Sequence, residues 1–343
     1  GFETSSRLNQ DVIEQVRLMP RVLVDIRQRE LAKTFLGQTW GLPFGIAPMG
    51  MCNLAWPNTD KAFAAAAVDH DIPVCLSTFG SSSIEDAGKR AAGNGWFQLY
   101  VGPSVADAMD LVQRIEDAGY EYLLLTVDVP VVSVRPRERR QGFEAPFRMR
   151  PRQFVDFATH PQWVFHTLVD GVPKPVNVLS AKTTVNKPTF TRNEIRGHID
   201  WQFLDQLRER WTGKLILKGV LSVDDAVRIR DAGVDAVYVS NHGGRQLDAA
   251  PAAIDVLPEI RQAVGVDYPL IFDSGIRSGE GIIKALALGA DFVMLGRPFL
   301  YASGADGQRG VYHLIDLLKN DMLLVLAQIG CTDVSHLDKN VLA

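Results

Sequence analysis

A histidine and an arginine stand three positions apart in the segment SNHGGRQLD, residues 240–248, just after the apolar run AVYV at 236–239. The imidazole of His242 can take up and release a proton near neutral pH, and the guanidinium of Arg245 can hold a carboxylate through two parallel hydrogen bonds. The two glycines between them let the backbone come close to a ligand. This pairing indicates proton transfer on a small substrate that carries a carboxylate.

Two further apolar runs end in polar side chains that suit the same chemistry. Asp128 ends one run, where its carboxylate could orient His242 and stabilise the imidazolium form. Gln98 and Tyr100 alternate at the end of another run and so point to one side. The Gln98 amide can bond a ring edge, and the Tyr100 phenol can bond a substrate hydroxyl or oxyanion. The structural alternatives are an aspartate bonded to local amides and a tyrosine anchored at a strand end.

A second group of polar residues indicates a phosphorylated ring cofactor. Lys218 ends a further apolar run, where its ammonium could stabilise negative charge on a reduced ring. The last two runs lead into DSGIR at 273–277 and GRP at 296–298. In a β/α barrel, the loops after strands seven and eight often bind phosphate through glycine amides and an arginine fork.

Eight short apolar runs alternate with helical patterns along the chain. The runs cover 44–50, 73–80, 96–101, 122–129, 214–219, 236–241, 269–274 and 292–296, and the clearest helical patterns cover 59–70, 104–118, 222–232 and 279–288. Such alternation is typical of a parallel sheet. Eight units predict a closed α/β barrel, the TIM (β/α)8 fold, with a final helix at about 307–329 and the polar strand ends gathered at one mouth.

The alternation is interrupted once, after the fourth predicted strand, between about 131 and 200. A stretch of this length is expected to be a lid, a binding insertion or a mobile segment. Its basic residues between 148 and 198 outnumber its acids, so it could touch an anionic membrane surface, the alternative being a solvated loop. We find no other composition shift, and residues 1–343 are expected to form one domain.

Composition excludes several classes of protein. The 343 residues carry a formal net charge of −4 and a pI near 6.0, whereas a general nucleic-acid binder would be basic. Cys52, Cys75 and Cys331 form no CxxC pair, which supports neither a disulfide framework nor a metal site and fits a reducing compartment. No apolar run reaches the roughly 18 residues of a spanning helix, and no signal-peptide pattern opens the sequence. A cytoplasmic protein is expected, with peripheral contact to the inner membrane as the alternative.

Together these segments resemble the FMN-dependent α-hydroxy-acid oxidase and dehydrogenase family, which includes glycolate oxidase, L-lactate dehydrogenase and mandelate dehydrogenase. The resemblance covers nearly the whole chain, and SNHGGRQLD at 240–248 is its most specific part. It is supported, in order, by LST at 76–78, FQLY at 97–100, TVD at 126–128, LKG at 217–219, DSGIR at 273–277 and GRP at 296–298.

The resemblance implies a role for each of these residues. His242 would be the catalytic base, Asp128 its partner, Tyr100 a contact of the substrate oxygen, and Arg245 with Arg135 the pair that binds the carboxylate and stabilises the anion. The implied FMN contacts are Ser77, Gln98, Thr126, Lys218 and Ser240 at the ring and ribityl chain, Asp273, Ser274, Gly275, Arg277, Gly296 and Arg297 at the ribityl chain and phosphate, and the backbone of Pro48, Met49 and Gly50 at the reactive edge. No metal is implied.

Three departures from the family pattern bear on specificity. The family usually places a tyrosine that helps bind the carboxylate in a segment ahead of the first residue here. Phe79 stands where glycolate-oxidising members carry tryptophan, so an indole donor is lost and a bulkier or more apolar substrate side chain is expected. The segment PMGM at 48–51 replaces the more usual PTAM, and its Gly50 resembles the mandelate dehydrogenase version, which favours a dehydrogenase over an oxidase.

The expected reaction is therefore FMN-dependent oxidation of a lactate- or mandelate-like L-2-hydroxy acid to the 2-keto acid. The electrons would pass to oxygen, a quinone or a protein, and the resemblance implies a homotetramer. Two other functions stay open at this point: a flavin-dependent non-redox isomerase on the same barrel, and a flavin-binding protein without turnover. Bleaching of the flavin by a hydroxy acid would distinguish oxidation of the hydroxy acid from both of these functions.

Overall fold

Eight parallel strands close into a barrel in the computed structural model, which describes residues 2–102, 104–131, 133, 136–140, 151–178 and 199–343. An antiparallel hairpin precedes them. The hairpin strands are β1 (Lys33–Phe35) and β2 (Gln38–Trp40), and the barrel strands are β3 (Phe44–Met49), β4 (Val74–Ser77), β5 (Gly95–Leu99), β6 (Tyr122–Thr126), β7 (Lys214–Val220), β8 (Ala236–Val239), β9 (Leu270–Phe272) and β10 (Phe292–Leu295). Neighbours in the barrel follow chain order, and β10 pairs with β3 to close it. The predicted TIM (β/α)8 barrel is confirmed.

Helices connect the barrel strands and pack around them. They are α1 (Thr4–Gln15), α2 (Thr59–Asp69), α3 (Ile84–Ala91), α4 (Val105–Asp117), α5 (Pro136–Arg140), α6 (Pro151–Ala158), α7 (Pro161–Asp170), α8 (Trp201–Arg210), α9 (Val223–Asp231), α10 (Ala253–Val264), α11 (Gly279–Ala287) and α12 (Arg297–Ile329), with 3-10 turns at Cys52–Leu54, His242–Gly244, Val334–His336 and Lys339–Val341. Ser104, Ser222 and Ser278 each accept a hydrogen bond from the backbone N–H three residues later. This serine capping explains why α4, α9 and α11 begin where the sequence predicts.

The two faces of each barrel strand have different surroundings. In β8, Tyr238 faces the barrel interior whereas Val239 packs outward against the helices. At the amino ends of the strands, the ring of Trp40 from the hairpin packs against Trp96 and Phe292, with centroids 6.1 and 6.4 Å apart. Because aromatic rings fill that end, the polar side chains collect at the carboxyl ends of the strands.

Several details differ from the predicted elements. The described part of the insertion after β6 contains α5, α6 and α7 and is not simply a loop. The last helix begins at Arg297, ahead of the predicted start, because only a local break at Asp306 and Gly307, with φ of −152° and 54°, separates its two halves. Lys218 lies inside β7 and Asp128 lies just beyond β6, although both were predicted at strand ends. The helix α1 was not predicted.

The helices α6 and α7 of the insertion expose large apolar side chains. Phe154 and Val155 on α6 and Phe165, Leu168 and Val169 on α7 are each more than 60% exposed. Among the described residues, no helix combines the length and the apolar character needed to cross a membrane.

Candidate active site

His242 lies beyond the carboxyl end of β8, between an aspartate and a tyrosine from other strands. Its Nδ1 is 3.0 Å from Oδ1 of Asp128, and its Nε2 is 3.2 Å from the hydroxyl of Tyr100. A carboxylate at Nδ1 orients the ring and stabilises its protonated form, which leaves Nε2 to exchange a proton. The pairing with Asp128 was predicted, whereas the contact with Tyr100 was not.

The backbone around His242 holds it in an uncommon conformation. His242 has φ of 59°, in the left-handed region, and its N–H donates to the Ser240 hydroxyl at 3.0 Å. Gly219 of β7 has φ of 103°, and a Cβ there would overlap the carboxylate of Asp128. Only glycine therefore lets Asp128 approach the imidazole, and sequence reasoning assigned Gly219 no such role.

Lys218 and Asp273 form a buried ion pair below His242. The Lys218 ammonium is 3.1 Å from Oδ2 of Asp273 and donates to the Ser240 hydroxyl at 2.7 Å. Burial alone would raise the pKa of Asp273, but Lys218 and the hydroxyls of Ser240 and Ser274 hold it below its usual value. The carboxylate is therefore ionised at neutral pH, and the ammonium beside it is held in place.

Two buried polar atoms beside this pair have no partner among the described residues. The Gln98 amide oxygen accepts from the Ser77 hydroxyl at 2.8 Å, whereas its Nε2 is without a hydrogen bond. The hydroxyl of Thr126 is likewise buried and without a partner. Since buried polar groups are almost always hydrogen-bonded, these atoms fit the polar edge of a bound ring.

Two arginines at the ends of the last barrel strands form no ion pair with a carboxylate in the described part of the chain. Burial and the nearby charge of Arg297 lower the pKa of Arg277, and burial is also the main cause of the lowered pKa of Arg297. Arg297 begins α12 and donates to the Ser6 hydroxyl at 2.6 Å and to the carbonyl of Gly243. Partly desolvated guanidinium groups beside a helix N-terminus suit a phosphate.

The turn after β9 joins the ion pair to the histidine loop. Ser274 has φ of 83° and Gly275 has φ of 100°. The Ser274 hydroxyl accepts from the N–H groups of Asn241 and Gly243, at 3.2 and 3.0 Å, and donates to Asp273 at 2.7 Å. This turn therefore fixes the histidine loop relative to Asp273.

The helix α1 packs on the same loop, which sequence reasoning missed. The side-chain amides of Asn9 and Asn241 exchange two buried hydrogen bonds of 2.8 Å each. Asn9 also accepts from the backbone N–H of Ala253 at 3.2 Å, and a Cβ at Gly244 would overlap the backbone of Ser6. The sequence carries one signal for this contact: Ser5 and Asn9 are four residues apart and therefore share one face of a helix.

The loops after β3 and β4 meet at the mouth. The carbonyl of Phe79 accepts from the N–H of Met51 at 2.9 Å, and a Cβ at Gly50 would lie 3.1 Å from that of Phe79. The Phe79 ring centroid is 5.6 Å from that of Tyr100. Pro48 and Met49 are half-buried at the end of β3, and a Cβ at Gly296 would touch the Met49 sulfur at 3.4 Å. Phe79 thus lies next to Tyr100, which contacts His242.

Of the two arginines predicted to bind the substrate carboxylate, Arg245 is among the described residues. Arg245 directly follows the turn His242–Gly244, is exposed, and lies near enough to Arg297 to help lower its pKa. Arg135 lies outside the described residues, so its position remains a prediction. The other predicted site residues lie in the last residues of the barrel strands or in the loops that follow those strands.

The whole chain is similar to proteins of one known family. A family model described as FMN-dependent dehydrogenase matches residues 1–343. The chain belongs to that family. It is 39% identical over 337 residues to (S)-mandelate dehydrogenase of Pseudomonas putida, covering 97% of this chain and 85% of that protein. It is 37% identical over 346 residues to L-lactate oxidase of a Nostoc species, covering 100% of this chain and 90% of that protein.

A solved structure of an FMN-dependent dehydrogenase relative has the same fold. The crystal structure of the monotopic membrane protein (S)-mandelate dehydrogenase superposes with a TM-score of 0.93 at 38% identity, covering 99% of this chain and 91% of that one. Membership confirms the predicted FMN cofactor and an oxidoreductase that acts on 2-hydroxy acids. The unpartnered atoms of Gln98 and Thr126 and the guanidinium pair of Arg277 and Arg297 fit the ring and the phosphate of FMN.

Proposed function

We propose that this enzyme oxidises an L-2-hydroxy acid to the 2-keto acid and that the row formed by Asp128, His242 and Tyr100 handles the proton. The observation that carries the proposal is the position of His242, whose two ring nitrogens face the Asp128 carboxylate and the Tyr100 hydroxyl. A buried Lys218 lies on the adjacent strand, where it suits a cofactor that gains negative charge.

The side chains of this chain perform the following steps. Arg245 and Arg135 bind the substrate carboxylate through paired hydrogen bonds, and Tyr100 donates to the substrate oxygen. His242 removes a proton from the substrate, and Asp128 stabilises the resulting imidazolium. FMN, when bound, would supply the acceptor for the two electrons, and the second hydrogen of the substrate would leave with them as a hydride or separately as a proton.

Three groups of residues would hold FMN. They are Ser77, Gln98, Thr126, Lys218 and Ser240 at the ring and ribityl chain, Asp273, Ser274, Gly275, Arg277, Gly296 and Arg297 at the ribityl chain and phosphate, and the backbone of Pro48, Met49 and Gly50 at the reactive edge. The support is the orphaned atoms of Gln98 and Thr126 and the partly desolvated Arg277 and Arg297. No carboxylate within ion-pair distance neutralises these two arginines in the described ranges, which leaves their charge for a phosphate.

The preferred substrate is a mandelate-like acid with an apolar side chain. Phe79 supplies an aromatic ring at the mouth without a hydrogen-bond donor, and Gly50 beside it adds no side chain. The relative from Pseudomonas putida is named for (S)-mandelate. Gly50 also favours a dehydrogenase over an oxidase. The electrons would then pass to a quinone or a protein and not to oxygen.

The insertion between 131 and 200 makes peripheral contact with the membrane from the cytoplasmic side. The apolar side chains of Phe165, Leu168 and Val169 are exposed together on α7, and the stretch carries an excess of basic residues. The relative with a solved structure is named as a monotopic membrane protein. Phe165→Glu combined with Leu168→Glu should abolish co-sedimentation with anionic phospholipid vesicles, whereas Leu324→Glu, at an exposed position on α12, should not. Sedimentation unchanged by the double substitution would reject this contact.

Residues 1–343 would form one FMN-binding domain that assembles as a homotetramer. Light scattering of the FMN-loaded enzyme measures the mass of the assembly. A mass of one, two or three chains at working concentration would contradict the tetramer and would leave the proposed chemistry unaffected.

Anaerobic mixing with hydroxy acids tests the proposed reaction. We expect L-mandelate to bleach the flavin absorbance fastest, followed by L-lactate and glycolate, and we expect air to restore the colour slowly. His242→Ala should retain FMN but should not be bleached, while His336→Ala, whose side chain is 79% exposed, should react as the wild type does. Bleaching of His242→Ala at the wild-type rate would refute the proposed base. A wild-type protein that holds FMN and is bleached by none of these acids would refute the oxidation.

A further inference from the structure

Tyr238 is a buried phenol directly below the Lys218–Asp273 pair, and the reaction described above does not use it. It lies inside the barrel on β8, in register with Lys218 of β7. Its hydroxyl donates to Oδ2 of Asp273 at 2.9 Å, and the Lys218 ammonium lies 4.5 Å from the centre of its ring. The surrounding sequence, AVYV, predicted only a buried apolar strand.

The hydroxyl of Tyr238 and the ammonium of Lys218 contact the same oxygen atom. Oδ2 of Asp273 accepts the hydrogen bond from Tyr238 and forms the ion pair with Lys218. Oδ1 accepts a hydrogen bond from the Ser274 hydroxyl at 2.7 Å. A donor on Oδ2 disperses the negative charge of the carboxylate and weakens its hold on the ammonium. The ring below Lys218 also limits how far the ammonium can move into the barrel.

We propose that Tyr238 is a positioning residue that sets the reduction potential of bound FMN by sharing the Asp273 carboxylate with Lys218. The inference rests on the proposed placement of Lys218 beside the flavin. Because the hydrogen bond from Tyr238 disperses part of the Asp273 charge, more of the Lys218 charge is available to stabilise the reduced flavin anion. Burial and the neighbouring carboxylate raise the pKa of Tyr238, so the phenol stays protonated and remains a donor.

The test is the midpoint potential of FMN in the intact holoenzyme, measured by equilibration with a reference dye. Tyr238→Phe removes only the hydroxyl and should lower the potential. We expect about a tenfold fall in the ratio of reduced to oxidised flavin at a fixed reference potential, which corresponds to about 30 mV for a two-electron couple. The sulfite dissociation constant should rise in parallel, since bound sulfite also places negative charge on the flavin.

Tyr122→Phe is the matched control. Tyr122 is also a buried phenol of the barrel, but it begins β6 at the opposite end, where its hydroxyl lies 3.4 Å from Gln38. Its removal should leave the potential unchanged. Equal potentials in Tyr238→Phe and the wild type would overturn the proposal, and so would equal shifts in both variants, which would indicate a general loosening of the barrel.

A second variant covers the case in which Tyr238→Phe loses FMN or unfolds. Incorporation of 3-fluorotyrosine at position 238 keeps the ring and makes the O–H a stronger donor, so the potential should rise. An unchanged or lower potential there would overturn the proposal. Failure of the proposed function would be recognised separately. If hydroxy acids do not reduce the wild-type flavin, the proposed oxidation is wrong. If they do reduce it and Tyr238→Phe has the wild-type potential, only the role of Tyr238 is wrong.

Discussion

The carboxylate of Asp128 lies 3.0 Å from Nδ1 of His242, although the two residues are 114 positions apart in the chain and follow different strands. The Tyr100 hydroxyl occupies the other side of the same imidazole, at 3.2 Å from Nε2. This relationship separates the two ring nitrogens by role. Nδ1 is paired with a carboxylate, whereas Nε2 contacts a neutral phenol and can exchange a proton.

Asp128→Asn should slow flavin reduction by the hydroxy acid about 10²-fold to 10⁴-fold, because an amide stabilises the imidazolium poorly and can orient the wrong tautomer. FMN content should be unchanged, since Asp128 is not among the residues expected to hold it. Single-turnover mixing under anaerobic conditions measures the rate. A loss of less than threefold would show that Asp128 does not support His242.

Gly219→Ala should slow flavin reduction by the hydroxy acid, because it displaces Asp128. The new Cβ would overlap that carboxylate, and the backbone at φ of 103° would be strained by about 1–2 kcal/mol. Gly233→Ala is the matched control, because Gly233 has φ of 74° with nothing within 4 Å of the new Cβ. Both variants should lose free energy of unfolding in urea through backbone strain, Gly219→Ala the more because its Cβ also overlaps Asp128, but only Gly219→Ala should lose activity. Equal activities would contradict the steric argument.

Phe79→Ala should reduce the preference for aromatic substrates. The ring lies against Tyr100, so its loss removes apolar contact area beside the proposed position of the substrate side chain. We expect kcat/KM for L-mandelate to fall about tenfold or more relative to L-lactate. Phe154→Ala, on the exposed face of α6, should leave the ratio unchanged. An unaltered ratio in Phe79→Ala would place the substrate side chain elsewhere.

Asn9→Ala should loosen the contact between α1 and the histidine loop. It removes both hydrogen bonds to the buried Asn241 amide and the acceptor of the buried Ala253 N–H, which costs about 1–3 kcal/mol of unfolding free energy. FMN should dissociate faster, because α1 also provides the Ser6 hydroxyl that Arg297 contacts. Gln10→Ala is the control, because Gln10 lies on the same helix and its side-chain amide donates to the Ser6 carbonyl within that helix. If both variants have the wild-type free energy of unfolding, the Asn9–Asn241 amide pair does not hold α1 on the histidine loop.

Asp235→Asn should destabilise the protein in a pH-dependent way. Burial raises the pKa of Asp235, but the backbone N–H of Leu215, Lys214 and Arg208 together hold it below 3.8. A depressed pKa means that the ionised group stabilises the fold above its unfolded pKa and that this contribution is lost as pH falls through the folded pKa. The free energy of unfolding of the wild type should therefore exceed that of the variant by about 1–3 kcal/mol near pH 7. The difference should begin to narrow below about pH 4 and should vanish only when the pH falls below the folded pKa of Asp235.

Urea unfolding at pH 7, 5 and 3.5 measures this difference. Asp235 lies away from the barrel mouth, so the flavin reduction rate at pH 7 should be the same in both proteins. A gap that is constant with pH would show that the charge of Asp235 contributes nothing and that its loss acts only through packing.

The sequence alone determined the type of each barrel element and the end at which the chemistry lies. Apolar runs such as AVYV at 236–239 have strand length, serines such as Ser222 cap the following helices, and parallel strands place the residues that follow them at one mouth. These are local signals, carried by periodicity and by neighbours within a few positions. They were enough to predict the barrel and to select His242, Asp128 and Lys218.

The tertiary structure decided which of these side chains touch. The contact of Tyr100 with His242, the amide pair of Asn9 with Asn241 and the hydrogen bond from Tyr238 to Asp273 join residues 142, 232 and 35 positions apart. Spacing along the chain does not encode these distances, because they depend on barrel closure and on where α1 packs. Burial then gives each contact its strength, since a polar group removed from water must find its partner within the fold.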